Sequence, residues 1–353
     1  MRGWTSFVAL GALAAIAGLG RAVTGEGPSG RLPADVAARP RSCQAGVRSD
    51  KLNALGNCEN VADPAEMQRC ADQASADAKD AASSCDDQHA ARQAVCAPLG
   101  PAPYDPLIAL ARFATSTTID NRLFPLKPGT TFVYEGDTAD GREHDEFFVT
   151  HSTRTIAGVE CVEVHDTVTT AGKLTEDTLD WFAQDVDGNV WYFGENTRQL
   201  ADDLVIGIEG TWMAGLDGAR PGIIMEAHPA VGDFYRQEFL LGEAEDLAEV
   251  VALDESVTVQ SIPPHTYDHC LETAETSPLE PDVLENKFYA PDVGNLLTVD
   301  VDNVERSDLI EIRTGADGSA RWTAVVRAAL GRRPSSTLPP QPSLSRKSWS
   351  PRQ

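Results

Sequence analysis

From about Asn121 to Asp317 large apolar residues alternate with polar ones in short runs, separated by turns rich in Gly and Asp. Phe132-Val-Tyr134 and Glu146-Phe-Phe-Val-Thr150 flank Asp140-Gly141, and Thr178–Gln184 and Asn189–Phe193 flank Asp185-Val-Asp-Gly188. Both are hairpin signals. Val159–Thr170, Leu204–Trp212, Phe234–Leu241, Ala248–Val259, His269–Ala274, Lys287–Tyr289, Asn295–Val301 and Ser307–Arg313 continue the pattern. About ten to twelve strands with hardly any long helical period predict an α+β chain that is mainly β. The expected architecture is a curved antiparallel sheet, half-barrel or barrel-like, because so long a meander must curl to bury one face.

Before this region the pattern changes. Five of the seven cysteines lie between Cys43 and Cys96, in a stretch rich in Ala, Asp and Gln with few large apolar residues. Good helix formers and a helix start at Asp63-Pro64 predict a helical segment that needs staples, since its own burial cannot offset chain entropy. Cys58–Cys96 and Cys70–Cys85 share nearly one midpoint, and their rungs lie roughly 18 and 16 Å apart along the two arms. An antiparallel hairpin bridged by these two pairs is therefore predicted, although no Gly or Pro marks its turn near Ser75–Lys79. Cys43 is left odd; it is free or pairs with Cys161 or Cys270, which can equally pair with each other. A zinc site is disfavoured because no CxxC is present.

The expected organisation is a signal peptide over 1–22, a flexible linker over 23–42, the cysteine-rich hairpin over 43–97, a Pro-rich linker over 98–118, the antiparallel β domain over 119–318 and a basic Pro/Ser-rich disordered tail over 319–353. The apolar run Phe7–Gly20 is short for a membrane span, so a secreted or periplasmic mature chain with no transmembrane segment is expected. Net charge is −25. From Thr118 to Gly318 there are 42 acidic and 11 basic residues. Nucleic acid as a partner is excluded on that ground, since neutralising phosphates requires clustered Lys and Arg.

Tyr104-Asp-Pro106, Phe124-Pro-Leu-Lys-Pro-Gly-Thr-Thr131, Tyr134-Glu-Gly136, Glu209-Gly-Thr-Trp212, Pro221-Gly-Ile-Ile-Met225, Gly242-Glu-Ala-Glu-Asp246 and Tyr289-Ala-Pro-Asp-Val-Gly294 follow one another in this order. In them the chain resembles a family of secreted bacterial proteins, mostly uncharacterised, with a cysteine-bearing helical segment, a YDP linker and an FPLxPGTT…YEG β-rich domain. A looser likeness is to periplasmic half-barrel proteins, some of which hold lipid-like ligands. The resemblance implies fold and compartment and carries no activity.

No catalytic motif interrupts the strands: there is no G-x-S-x-G elbow, no HxH or HExxH pair and no phosphate loop. Asp185-Val-Asp-Gly-Asn189 lacks EF-hand spacing and reads as a turn. The aromatic group Trp181, Trp191, Tyr192 and Trp212, with Arg236, is either core or a ligand platform. Glu243, Glu245 and Asp246 form an acidic cluster that reads as a solvated turn or as a divalent-cation site; no other cofactor is expected. Three functions follow: binding of a small apolar or amphiphilic molecule or an envelope partner, a carboxylate- or metal-dependent hydrolase, or envelope docking. Carboxylates meeting His165 or Arg236 in a cleft would favour the hydrolase. An enclosed apolar cavity with no convergent acids would favour binding.

Overall fold

The computed structural model describes residues 34–100, 102–261, 263–303 and 305–315. The expected signal peptide, the start of the first linker and the basic tail lie outside them. Two helices precede the sheet: α1 (Ala34–Cys58) and α2 (Pro64–Leu99). Helix α1 thus begins inside the segment expected to be a flexible linker.

The helices form an antiparallel hairpin, but its turn is at residues 59–63 rather than near Ser75–Lys79. Pro64 takes the first turn of α2, where its missing N–H costs nothing, and the Asp63 carboxylate accepts the Glu66 N–H at 2.8 Å. The bridges are Cys43–Cys85 and Cys58–Cys70, which corrects the expected Cys58–Cys96 and Cys70–Cys85. Both observed pairs are centred on residue 64, and both helical arms between rungs span the same 15 residues, so the rungs match without adjustment. The predicted pairs were centred on a stretch with no breaker, where α2 simply continues. Cys96, Cys161 and Cys270 are free, the last two buried.

The remaining chain builds one antiparallel sheet from β1 (Thr130–Thr138), β2 (Gly141–Ile156), β3 (Val159–Thr170), β4 (Lys173–Gln184), β5 (Val190–Ala201), β6 (Leu204–Gly207), β7 (Trp212–Met213), β8 (Arg220–Met225), β9 (Phe234–Arg236), β10 (Glu238–Phe239), β11 (Leu247–Val259), β12 (His265–Ser277), β13 (Glu280–Ala290), β14 (Gly294–Asp300) and β15 (Glu305–Thr314). The order is β10-β8-β5-β4-β3-β2-β1-β15-β14-β13-β12-β11-β9, with β6 and β7 on the side of β5. Two meanders therefore meet where β1 pairs with β15.

The sheet is not closed into a barrel, yet one short segment touches both ends. Phe234–Arg236 pairs with β11, Glu238–Phe239 pairs with β8, and only Gln237 separates them. At this crossing Gly222 is required: a Cβ there would lie 2.3 Å from the Gln237 carbonyl carbon. The linker is not loose either. Tyr104 donates to the Pro221 carbonyl at 2.9 Å and packs edge-on to Phe239, and Phe113 covers one face of β5 against Trp191 and Phe193. Phe124, Phe132, Phe147, Phe182, Tyr192 and Tyr289 fill the other face.

Candidate functional site

Period-two alternation puts acids and aromatics on the same, inner face of the sheet. On β4, Glu176, Thr178, Asp180 and Phe182 are buried at successive inner positions; on β13, Glu285, Lys287 and Tyr289 are. Glu143, Asp145 and Phe147 repeat the order on β2. Each strand therefore carries carboxyl groups towards one end and a ring towards the other.

Two cavities lie on this face. The larger, about 300 Å³, is lined by eight carboxyl groups (Glu195, Glu209, Glu238, Glu243, Asp246, Glu275, Glu280 and Glu285) with Tyr192, Gln237 and a single cation, Lys287. Glu209, Glu243 and Glu280 are exposed and form its rim. The smaller, about 80 Å³, is lined by Phe124, Phe132, Phe147 and Tyr289 together with Asp145 and Asp166. Ile224 and Lys287 belong to both linings.

Hydroxyl groups thread the acids together. The Tyr192 hydroxyl lies 2.5 Å from Asp180 Oδ1 and 3.1 Å from Glu195 Oε2, and Thr197 donates to Glu195. Thr178 sits 3.0 Å from Glu176 Oε1 and 3.2 Å from the Thr197 hydroxyl. The Lys287 ammonium is 2.7 Å from Glu275 and 3.7 Å from Glu285. Glu275 also accepts from Thr273 at 2.9 Å and Tyr289 at 3.2 Å.

Burial in low dielectric, reinforced by neighbouring acids, holds most of these carboxyls protonated well above their usual range. Desolvation is the largest cause throughout: Asp145 is pushed up to about 7 and Glu176 to about 9. Asp166, Asp180, Glu195, Glu238 and Glu285 are held well above the carboxylate range. Asp246 rises to about 6, with Ser277 and Lys287 pulling the other way. For Lys287 burial lowers the pKa, but Glu275 and Glu285 outweigh it and the net shift is upward.

Of the residues singled out in the sequence, Tyr192 and Asp246 enter the large cavity and Glu243 its rim. Trp212 packs at 85° on Tyr192, 5.2 Å between centroids. Trp181 and Trp191 face away from it. Trp181 is fully buried, donating to Glu163 at 3.2 Å beneath Arg154, and Trp191 donates to Asp185 at 3.1 Å. Arg236 stacks on Phe239 and Tyr104, His165 pairs with Asp177 at 2.7 Å, and neither lines either cavity.

Glu245 is neither a solvated turn residue nor a cation ligand. It is 1% exposed and paired through two oxygens with Arg92 of α2, itself 4% exposed, at 2.7–3.0 Å. Together with Gln88, which donates to the Leu279 carbonyl at 2.9 Å, this pair seats the helical hairpin beside the cavity rim. Among the described residues no three His, Cys, Asp or Glu side chains gather as a metal site would require. Asp185 accepts the Asp187 and Asn189 N–H groups, and Gly188 takes φ 96°, which makes this segment the hairpin turn expected.

The inner acids on β2, β4, β5 and β13 did not stand out in the sequence, where acids alternating with other residues signal a solvent face. The available signal was the spacing Glu143-x-Asp145-x-Phe147 and Glu176-x-Thr178-x-Asp180-x-Phe182, which places acids in phase with core aromatics. No family model matches the chain, and no curated protein or solved structure matches it.

Proposed function

We propose that this is an extracytoplasmic binding protein that holds a small amphiphilic molecule on the inner face of its open sheet. The observation that carries the reading is the pair of adjoining cavities, one ringed by aromatics and one by polar groups, with Ile224 and Lys287 common to both. A concave, mostly preformed pocket with apolar walls and a few oriented polar groups is the usual form of a small-molecule site. The two disulfides suit an oxidising compartment, as does the resemblance to secreted bacterial proteins. The carboxylates are favoured as ligand contacts over hydrolytic groups because His165 and Arg236 are engaged elsewhere.

Titration with the neutral fluorophore N-phenyl-1-naphthylamine tests this. Saturable one-to-one binding is expected in the wild type, and Ile224→Trp, which fills the wall common to both cavities, should abolish it while the chain still unfolds cooperatively. Unsaturable binding, or binding untouched by Ile224→Trp, would place any apolar site elsewhere.

A further inference from the structure

The large cavity gathers eight carboxyl groups around one ammonium. Such a cluster alone would be no more than a destabilised interior. Two further observations point to a missing partner. Glu285, only 6% exposed, leaves Oε1 without a hydrogen bond while lining the large cavity. In the small cavity Asp166, also 6% exposed, faces the carboxyl of Asp145, a pairing of two acids that holds only while they share a proton. Buried polar groups are nearly always satisfied, and each one left open carries a desolvation penalty that a ligand group can remove.

We propose that the ligand is an organic polycation, an aliphatic polyamine, with one ammonium group at Glu285 in the large cavity and another at Asp166 in the small one; this rests on the binding reading above. The fold already contains one solved case of the same recognition. Lys287 is a primary ammonium on an alkyl chain, and Glu275 and Glu285 hold it at 2.7 and 3.7 Å in the wall common to both cavities. A second alkylammonium would meet the open Oε1 of Glu285, with Ile224 and Tyr289 as apolar surface for its methylenes. An anionic amphiphile such as a fatty acid would add charge of the wrong sign and is excluded on electrostatic grounds. A single inorganic cation does not match either, because calcium needs six to eight oxygens within about 2.6 Å of one point. Here the acids are spread over about 300 Å³.

Calorimetric titration of the full chain with spermidine, in buffer of physiological salt, tests the assignment. Saturable one-to-one binding is expected. Glu285→Gln and Asp166→Asn should each weaken it at least tenfold, whereas Glu255→Gln, an exposed acid on β11, should not. Each amide replaces a carboxyl that is protonated in the empty site, so both variants should still fold, which thermal unfolding verifies. If the fluorophore binds but spermidine gives no saturable heat, or loses affinity equally in Glu255→Gln, the polyamine assignment is overturned and the binding reading survives. Failure of both ligands overturns both. A calcium-dependent rise in Tm that Glu285→Gln abolishes would overturn the assignment in favour of an inorganic cation.

Discussion

Arg92 and Glu245 lie 153 positions apart and are both almost fully buried, at 4% and 1% exposure. Two ions removed from water in this way add little net stability, but removing one of them strands the other. Glu245 also accepts the Gly242 N–H at 2.6 Å, so the pair fixes the turn before β11 as well as the seat of α2. Arg92→Met should therefore cost about 3–5 kcal/mol in denaturant unfolding. Adding Glu245→Gln, which removes the stranded charge and keeps an acceptor for Gly242, should return at least about 1 kcal/mol. Strict additivity of the two changes would show that the contact is not energetically real. At this scale the sequence was least legible. Gly242-Glu-Ala-Glu-Asp246 looks like a solvated acidic turn, and nothing local reveals that its middle Glu meets an arginine from another element. The same holds for Gly222, whose necessity comes from the Gln237 backbone crossing it.

Elements were far easier to foresee, because their signals are local. Strand alternation, Gly-Asp turns and the Asp63-Pro64 helix start all have counterparts in the structure. The cysteine pairing failed for an instructive reason. Shared midpoints were the right criterion, but two families of pairs satisfy it, and only the family centred on residue 64 coincides with a helix breaker. Pairing the other four cysteines of the segment with one another leaves Cys43 odd, which hides its match to Cys85. Non-reducing peptide mapping should return Cys43–Cys85 and Cys58–Cys70. The two bridges close loops of different length, with separations of 42 and 12 residues. Chain entropy then makes the outer bridge worth about 1 kcal/mol more than the inner, within a usual range of about 2–4 kcal/mol each. Replacing Cys43 and Cys85 by Ser should thus lower hairpin stability more than replacing Cys58 and Cys70. The reverse order would mean that the inner bridge, next to the turn, holds native contacts rather than merely restricting the unfolded chain.

For the whole molecule the buried acids set how stability depends on pH. A net charge of −25 suggests a protein that prefers neutral or alkaline solution, where carboxylates are ionised and soluble. The interior argues the opposite. Glu143, Asp145 and Asp246 have folded pKa values raised, chiefly by desolvation, to about 6, 7 and 6, and Asp166, Asp180, Glu195, Glu238 and Glu285 are raised as well. A group whose folded pKa exceeds its unfolded value binds more protons when folded, so the slope of unfolding free energy with pH is negative between the two values. Stability from these acids is therefore full below about pH 4 and is lost as pH rises towards 8. Groups shifted the other way set the acid limit. Glu146 lies near 2, where hydrogen bonds from His144 and Arg313 outweigh its burial, and Asp177 and Asp185 are also lowered. Their contribution is present above pH 4 and disappears as pH falls through their folded values. The two families together place the maximum of Tm near pH 5, with a fall of at least about 5 °C by pH 8 in the ligand-free chain, given that roughly 2 kcal/mol moves a domain of this size by several degrees. Spermidine should flatten this decline, because a bound cation lets the same carboxyls ionise without mutual repulsion and stabilises the state that binds it. A Tm that rises steadily from pH 5 to pH 8 without ligand would mean that the inner acids ionise in the folded chain without penalty, and the pH dependence argued from their burial would not hold.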